Sequence, residues 1–298
     1  SKADSANYFF NQGINLYYGF HIIEALASFK RAQTFDPEQP LLYWAEALAY
    51  GPNINDMEYA ASPEALHAVR RAESLKEHTD DLGKALIDAM AVRYSADSTQ
   101  SRNQLNLAYA ASMKKALQLN PASADVRALY ADALMIQHPW NYWQHNGTAQ
   151  PWTNEIISVL ETGLAAHPEH PGLNHYYIHM VEASPNPEKG LAAAGRLETL
   201  MPAVAHMTHM PSHIYIRTGK YQQGIQVNNT AIDGYRAYQQ LYAPVSGNKG
   251  LYEVHNLHMK AACALQLASY NLAVRTATEC RNSIDTAFLF APPPFGNL

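Results

Sequence analysis

The sequence predicts an all-α fold, a right-handed superhelical solenoid of about seven helical hairpins. Three observations predict it: a small-and-aromatic spacing that recurs along the chain, turn signals before the copies, and no strand-like alternation. The first copy is Ala25, Phe29, Ala32 and Pro37, at spacings of four, three and five, behind Gly13. This is the pattern of a repeat of about 34 residues built from two antiparallel helices. Small residues let the second helix approach the first, and the proline ends it before the next hairpin.

The second copy, Ala65, Val69 and Ala72, follows an insertion over 51–62 that opens with Gly51-Pro52-Asn53-Ile54-Asn55-Asp56. Tyr109, Met113, Ala116 and Pro121 keep the spacing, as do Ile156, Leu160, Gly163 and Pro168. Gly190, Ala194, Leu197 and Pro202 come after the turn Ser184-Pro185-Asn186-Pro187. Gly224, Asn228 and Ala231 follow Thr218-Gly219-Lys220-Tyr221, and Ala273, Ala277 and Cys280 follow Ala268-Ser269-Tyr270. Residues 1–286 therefore read as one solenoid. A second insertion, over 138–152, brings Trp140, Tyr142 and Trp143 where a plain connector would be polar, and long loops in compact repeats often carry function. Two readings stay open for it: an aromatic plug over the inner face, or the wall of a ligand groove.

The 21 basic and 26 acidic residues give a net charge of −5, so there is no basic field for nucleic acid or anionic lipid. No run of about 18 apolar residues is present that could span a bilayer. The opening Ser-Lys-Ala-Asp, without Met, is open to a removed signal peptide or to artificial cleavage, and an exported, extracytoplasmic chain is the expectation. Cys263 and Cys280 fall in one hairpin, out of register by roughly 8 Å along the axis, and are expected to be free, packed thiols.

Eleven of the fourteen histidines lie between His138 and His258. Fifteen residues upstream of Gly190, Gly224 and Ala273 stand His175, His209 and His258. Eleven upstream stand His179, His213 and Ala262, and eighteen upstream stand Gly172, His206 and His255. Offsets of three and four put the histidines of each helix on one face. First helices of stacked hairpins line the concave side about 8–10 Å apart, so the seven imidazoles are expected to converge there. Neutral imidazole is the commonest protein metal ligand, which makes His175, His179, His206, His209, His213, His255 and His258 candidate ligands for zinc or copper. A buried polar network would use the same residues and is the competing reading. Glu182, three residues beyond His179, is a candidate partner behind the ligands. Met180, Met207, Met210 and Met259 each follow a histidine position and so point sideways, as core residues rather than soft copper ligands.

Catalysis finds little support. There is no glycine-rich phosphate loop, no Gly-x-Ser-x-Gly elbow and no His-Glu-x-x-His.

Several segments resemble a family of bacterial tetratricopeptide-repeat proteins. They are Tyr18-Gly19-Phe20, Gly51-Pro52-Asn53-Ile54-Asn55, Pro139-Trp140-Asn141-Tyr142-Trp143, His175-Tyr176-Tyr177-Ile178-His179 with Glu182-Ala183-Ser184, His206 through Tyr215, and His255-Asn256-Leu257-His258. The resemblance covers nearly the whole chain and implies the repeat fold; members are commonly exported and mostly of unknown function. His21-Ile22-Ile23 departs from it by being more apolar than the family's Asn followed by a polar residue.

A solenoid needs polar end helices to stay monomeric. Here the first helix is apolar on more than one side, and residues 287–298 form a tail with three prolines and with Phe288, Phe290 and Phe295. That tail either caps the last hairpin or docks on a second copy, giving an oligomer or filament. The leading expectation is a non-enzymatic scaffold with a histidine-rich metal-binding face that self-assembles end to end. A peptide-binding adaptor is the second reading and a metal-dependent hydrolase the third.

Overall fold

The computed structural model describes residues 2–55, 63–97, 99–241 and 249–284. Fifteen α-helices lie among them: α1 Lys2–Tyr18, α2 Ile22–Gln33, α3 Pro40–Ala49, α4 Pro63–Ser74, α5 Asp81–Ala91, α6 Arg102–Leu119, α7 Ala124–Met135, α8 Thr153–Ala166, α9 Pro171–Val181, α10 Leu191–Leu200, α11 Ala205–His209, α12 Pro211–Arg217, α13 Tyr221–Leu241, α14 Lys249–Gln266 and α15 Tyr270–Ser283. An isolated β-bridge pairs Trp143 with Ala149. Among the described residues, no helix is long and apolar enough to cross a membrane.

The chain is a succession of antiparallel helix pairs, and local chemistry starts each helix where the repeat needs it. Pro40 and Pro171 open α3 and α9 at positions where an amide hydrogen would have no helical partner. Asp80 caps α5 through the Gly83 amide at 2.8 Å, and Ser101 with Gln104 forms a capping box at α6. In the first hairpin, Ala6 of α1 clusters with Ala32 of α2, while a Cβ on Gly13 would lie 2.4 Å from the Phe29 ring. Pairing 6 with 32 and 13 with 29 is the antiparallel order, and only glycine lets the two axes come this close.

Packing divides the chain into two compact units at Ser184, in the turn before the Gly190 copy of the repeat. The first unit holds α1 to α9. Within it, α9 packs back on α1 and on α7. Tyr17 donates to Asp132 of α7 at 3.0 Å, Tyr18 donates to Asp125 at 2.7 Å, and a Cβ on Gly172 of α9 would lie 2.5 Å from the Tyr18 ring. Bulky aromatics thus fill the space where neighbouring first helices meet. Among them Arg93 is fully buried, donating to the Pro52 carbonyl at 2.9 Å, with its guanidinium 4.5 Å from the Tyr109 ring centre. Burial pushes the Asp132 carboxyl up to about 6, although Arg93 and the Tyr17 hydroxyl pull it down.

The second unit holds α10 to α15. Its first long helix is broken into α11 and α12 at Pro211, which has no amide hydrogen to continue the ladder. α11 and α12 both pack on α13, and α12 also packs on α14. Arg236 of α13 reaches Glu253 of α14 at 2.7 Å and Glu279 of α15 at 2.6 Å, tying three helices together. Cys263 and Cys280 are free thiols on the last pair, and burial lifts the Cys263 thiol to about 11.

The tail 287–298 with Phe288, Phe290 and Phe295, and the later part of the first insertion, lie outside the described residues.

Candidate metal centre

In the second unit the break at Pro211 places His209 at the end of α11 and His213 one turn later in α12. The two Nε2 atoms are 2.9 Å apart, and Nε2 of His255 on α14 lies 3.4 Å from that of His213. The three residues offer nitrogens that all fall within 4.8 Å of one another. His209 is fully buried, while His213 and His255 are half-buried.

One side chain sets the direction of the buried ring. Asn228 of α13 donates its amide to the Gly224 carbonyl at 2.7 Å, which turns its own oxygen to His209 Nδ1 at 3.0 Å. His209 therefore carries its proton on Nδ1, and its Nε2 lone pair points to His213 and His255. Ser212 Oγ lies 3.3 Å from the same Nδ1. His206 is buried beside this trio, with ring centres 5.9 Å from His209 and 5.4 Å from Tyr252. His258 is exposed on α14 and belongs to neither candidate ligand group. The repeat register places it with His175 and His209, but on α14 it is His255, three residues earlier, that turns inward.

In the first unit, α9 carries His175 and His179, both buried, with Nε2 atoms 3.0 Å apart. His175 Nδ1 donates to the Tyr18 carbonyl at 2.6 Å, and His179 Nδ1 donates to Glu182 Oε1 at 2.9 Å. Glu182 thus stands behind His179 in a position to orient its ring.

The second insertion folds down as an ordered cover. Tyr142 is buried and donates to the Met135 carbonyl at 3.3 Å, Trp143 donates to the Met180 carbonyl at 2.7 Å, and Trp152 donates to Asn141 at 2.8 Å. Trp140 remains 53% exposed, yet its indole donates to the Ile54 carbonyl in the first insertion at 2.8 Å. Met180, Met207 and Met210 are fully buried.

Asn228 is the neighbour of this trio to which the histidine register does not point. It was visible as one polar residue at a repeat position held by Phe29, Ala194 and Ala277 in other copies.

No family model matches the sequence. No curated protein matches it either. Among solved structures, the chain is similar to a thermophilic tetratricopeptide-repeat protein of Thermus thermophilus, over 85% of this chain and 98% of that one, with a TM-score of 0.41 and 13% sequence identity. So distant a likeness carries no weight for function.

Proposed function

We propose that the protein is a non-enzymatic helical-repeat scaffold whose second unit holds a divalent transition-metal ion, zinc or copper, between His209, His213 and His255. The observation that carries this reading is the spacing of their Nε2 atoms, 2.9 and 3.4 Å between neighbours. Two nitrogens bound to one tetrahedral zinc at ~2.05 Å lie about 3.3 Å apart, so small movements bring all three to one ion with a fourth position open. Asn228 supports it further, because a ligand histidine is held by a hydrogen bond at its other nitrogen. The test is calorimetric titration of chelator-treated protein with Zn²⁺. One site should be lost when His209 and His213 are both changed to Ala; an unchanged isotherm would remove the reading.

Self-association through the ends is a second part of the proposal. Leu265, Tyr270 and Val274 in the last hairpin are 65%, 73% and 47% exposed, apolar area of the kind a capped repeat would cover.

A further inference from the structure

Phe20 and Trp140 are two of three non-glycine residues with positive φ among those described, at 57° and 61°. Both occupy places where glycine is usual. Phe20 ends α1 in the left-handed cap position, with the His21 amide returning to the Leu16 carbonyl at 3.0 Å. Trp140 is the third residue of a turn closed by the Asn141 amide on the His138 carbonyl at 3.1 Å. A bulky residue in this backbone region is strained and persists only where its surroundings hold it. Here the two rings meet the same target. Phe20 lies 4.6 Å from the His175 ring centre and 6.1 Å from that of His179, and Trp140 stands edge-on to His179 at 5.1 Å. Two separate loops, far apart in sequence, are thus distorted to wall one histidine pair.

The pair presents two nitrogen donors to a positive centre. The Tyr18 carbonyl can only accept a hydrogen bond, and so can the Glu182 carboxylate, so each histidine keeps its proton on Nδ1. Both Nε2 atoms then present lone pairs to each other at 3.0 Å. That contact is repulsive between neutral rings and becomes favourable when a positive centre lies between them. From these contacts we infer that the first unit contains its own divalent transition-metal site, ligated by His175 and His179, with Glu182 orienting His179 and with Phe20 and Trp140 as its walls. Donors 3.0 Å apart subtend about 95° at an ion with ~2.05 Å bonds. This is close to the right angle between neighbouring ligands on tetragonal Cu²⁺ or Ni²⁺; a linear cuprous pair would need donors about 4 Å apart. The site uses no residue of the second unit and stands whether or not the trio there binds metal.

The edge-on contact with Trp140 supplies the readout. All four tryptophans, Trp44, Trp140, Trp143 and Trp152, belong to the first unit, and bound Cu²⁺ quenches indole emission at short range. The experiment uses the full chain carrying H209A and H213A, so that the trio cannot contribute. After gel filtration this protein should retain about one Cu²⁺ and lose much of its tryptophan emission, recovered on adding chelator. In the same background, W140F should reduce the amplitude of the quenching. Glu182→Gln should weaken Cu²⁺ binding about 10- to 100-fold, the usual effect of losing such an orienting carboxylate, with helical content unchanged. Helical H209A/H213A protein that retains no Cu²⁺ would overturn the inference, because a shared proton would then fill the same contact. Quenching of equal size in the W140F variant would overturn it too, by placing the ion elsewhere.

Discussion

Nε2 of His213 stands 2.9 Å from Nε2 of His209, one helical turn apart across the break at Pro211. The pair belongs to the broken first helix of one hairpin, and the third nitrogen comes from His255 in the first helix of the next. Neither hairpin alone can build the group. Ligand geometry in the second unit is therefore set by how α12 packs on α14, which makes the site report on the repeat stack itself.

Asn228 holds the His209 ring through Nδ1 at 3.0 Å, and its role separates a metal site from a packed histidine cluster. Asn228→Ala should weaken Zn²⁺ binding about 10- to 100-fold, with helical content unchanged, whereas Asn228→Asp should retain it. Competition with a chromophoric chelator measures both. Equal affinity in the wild type and Asn228→Ala would mean that the ring needs no support.

Gly13 tests the hairpin packing by the sign of a stability change. In an exposed helix interior, glycine to alanine stabilises by about 1 kcal/mol. Here the new methyl would meet the fully buried Phe29 ring at 2.4 Å, so Gly13→Ala should instead destabilise by about 1–3 kcal/mol. Denaturant unfolding gives the answer, and a gain in stability would show that α1 and α2 are not so closely packed.

Asp132 predicts a pH dependence. Its folded carboxyl titrates at about 6, above the ordinary value near 3.9, so the folded state binds the proton more tightly than the unfolded chain. The contribution of this group is fully present below about pH 4 and is lost as pH rises through 6, by about 3 kcal/mol at most. Denaturant titrations between pH 4 and 7 should show that decline in the wild type and a flatter profile in Asp132→Asn. Identical slopes would place Asp132 in water.

The repeat spacing was legible because small residues, aromatics and prolines act locally: Gly13, Ala25 and Phe29 mark the first hairpin without knowledge of anything else. The histidine register was legible for the same reason, and it led to His209 and His213. What it could not give was rotation about each helix axis. His255 and His258 differ by one short step along α14, and only the packing of neighbouring helices decides which turns inward. The closing of α9 on α1 was equally hidden, since it depends on Tyr18 meeting Gly172 and His175 across more than a hundred residues of chain. A sequence period describes neighbours along the chain; it does not say where the stack meets itself.

Assembly is tested at the last hairpin. Changing Leu265 and Tyr270 to Ser, or deleting residues 287 to 298, should each lower the mass measured by multi-angle light scattering at high protein concentration. A wild-type protein that is monomeric under the same conditions would remove self-association from the account.

The most direct measurement of the central claim is X-ray absorption at the zinc edge on protein loaded with one equivalent of Zn²⁺, using the H175A/H179A variant so that only the second unit can bind. The account predicts a nitrogen shell at about 2.0 Å with the outer-shell scattering of three imidazoles, falling to two in a variant that also carries His255→Ala. An all-oxygen shell, or imidazole scattering that His255→Ala leaves unchanged, would contradict it.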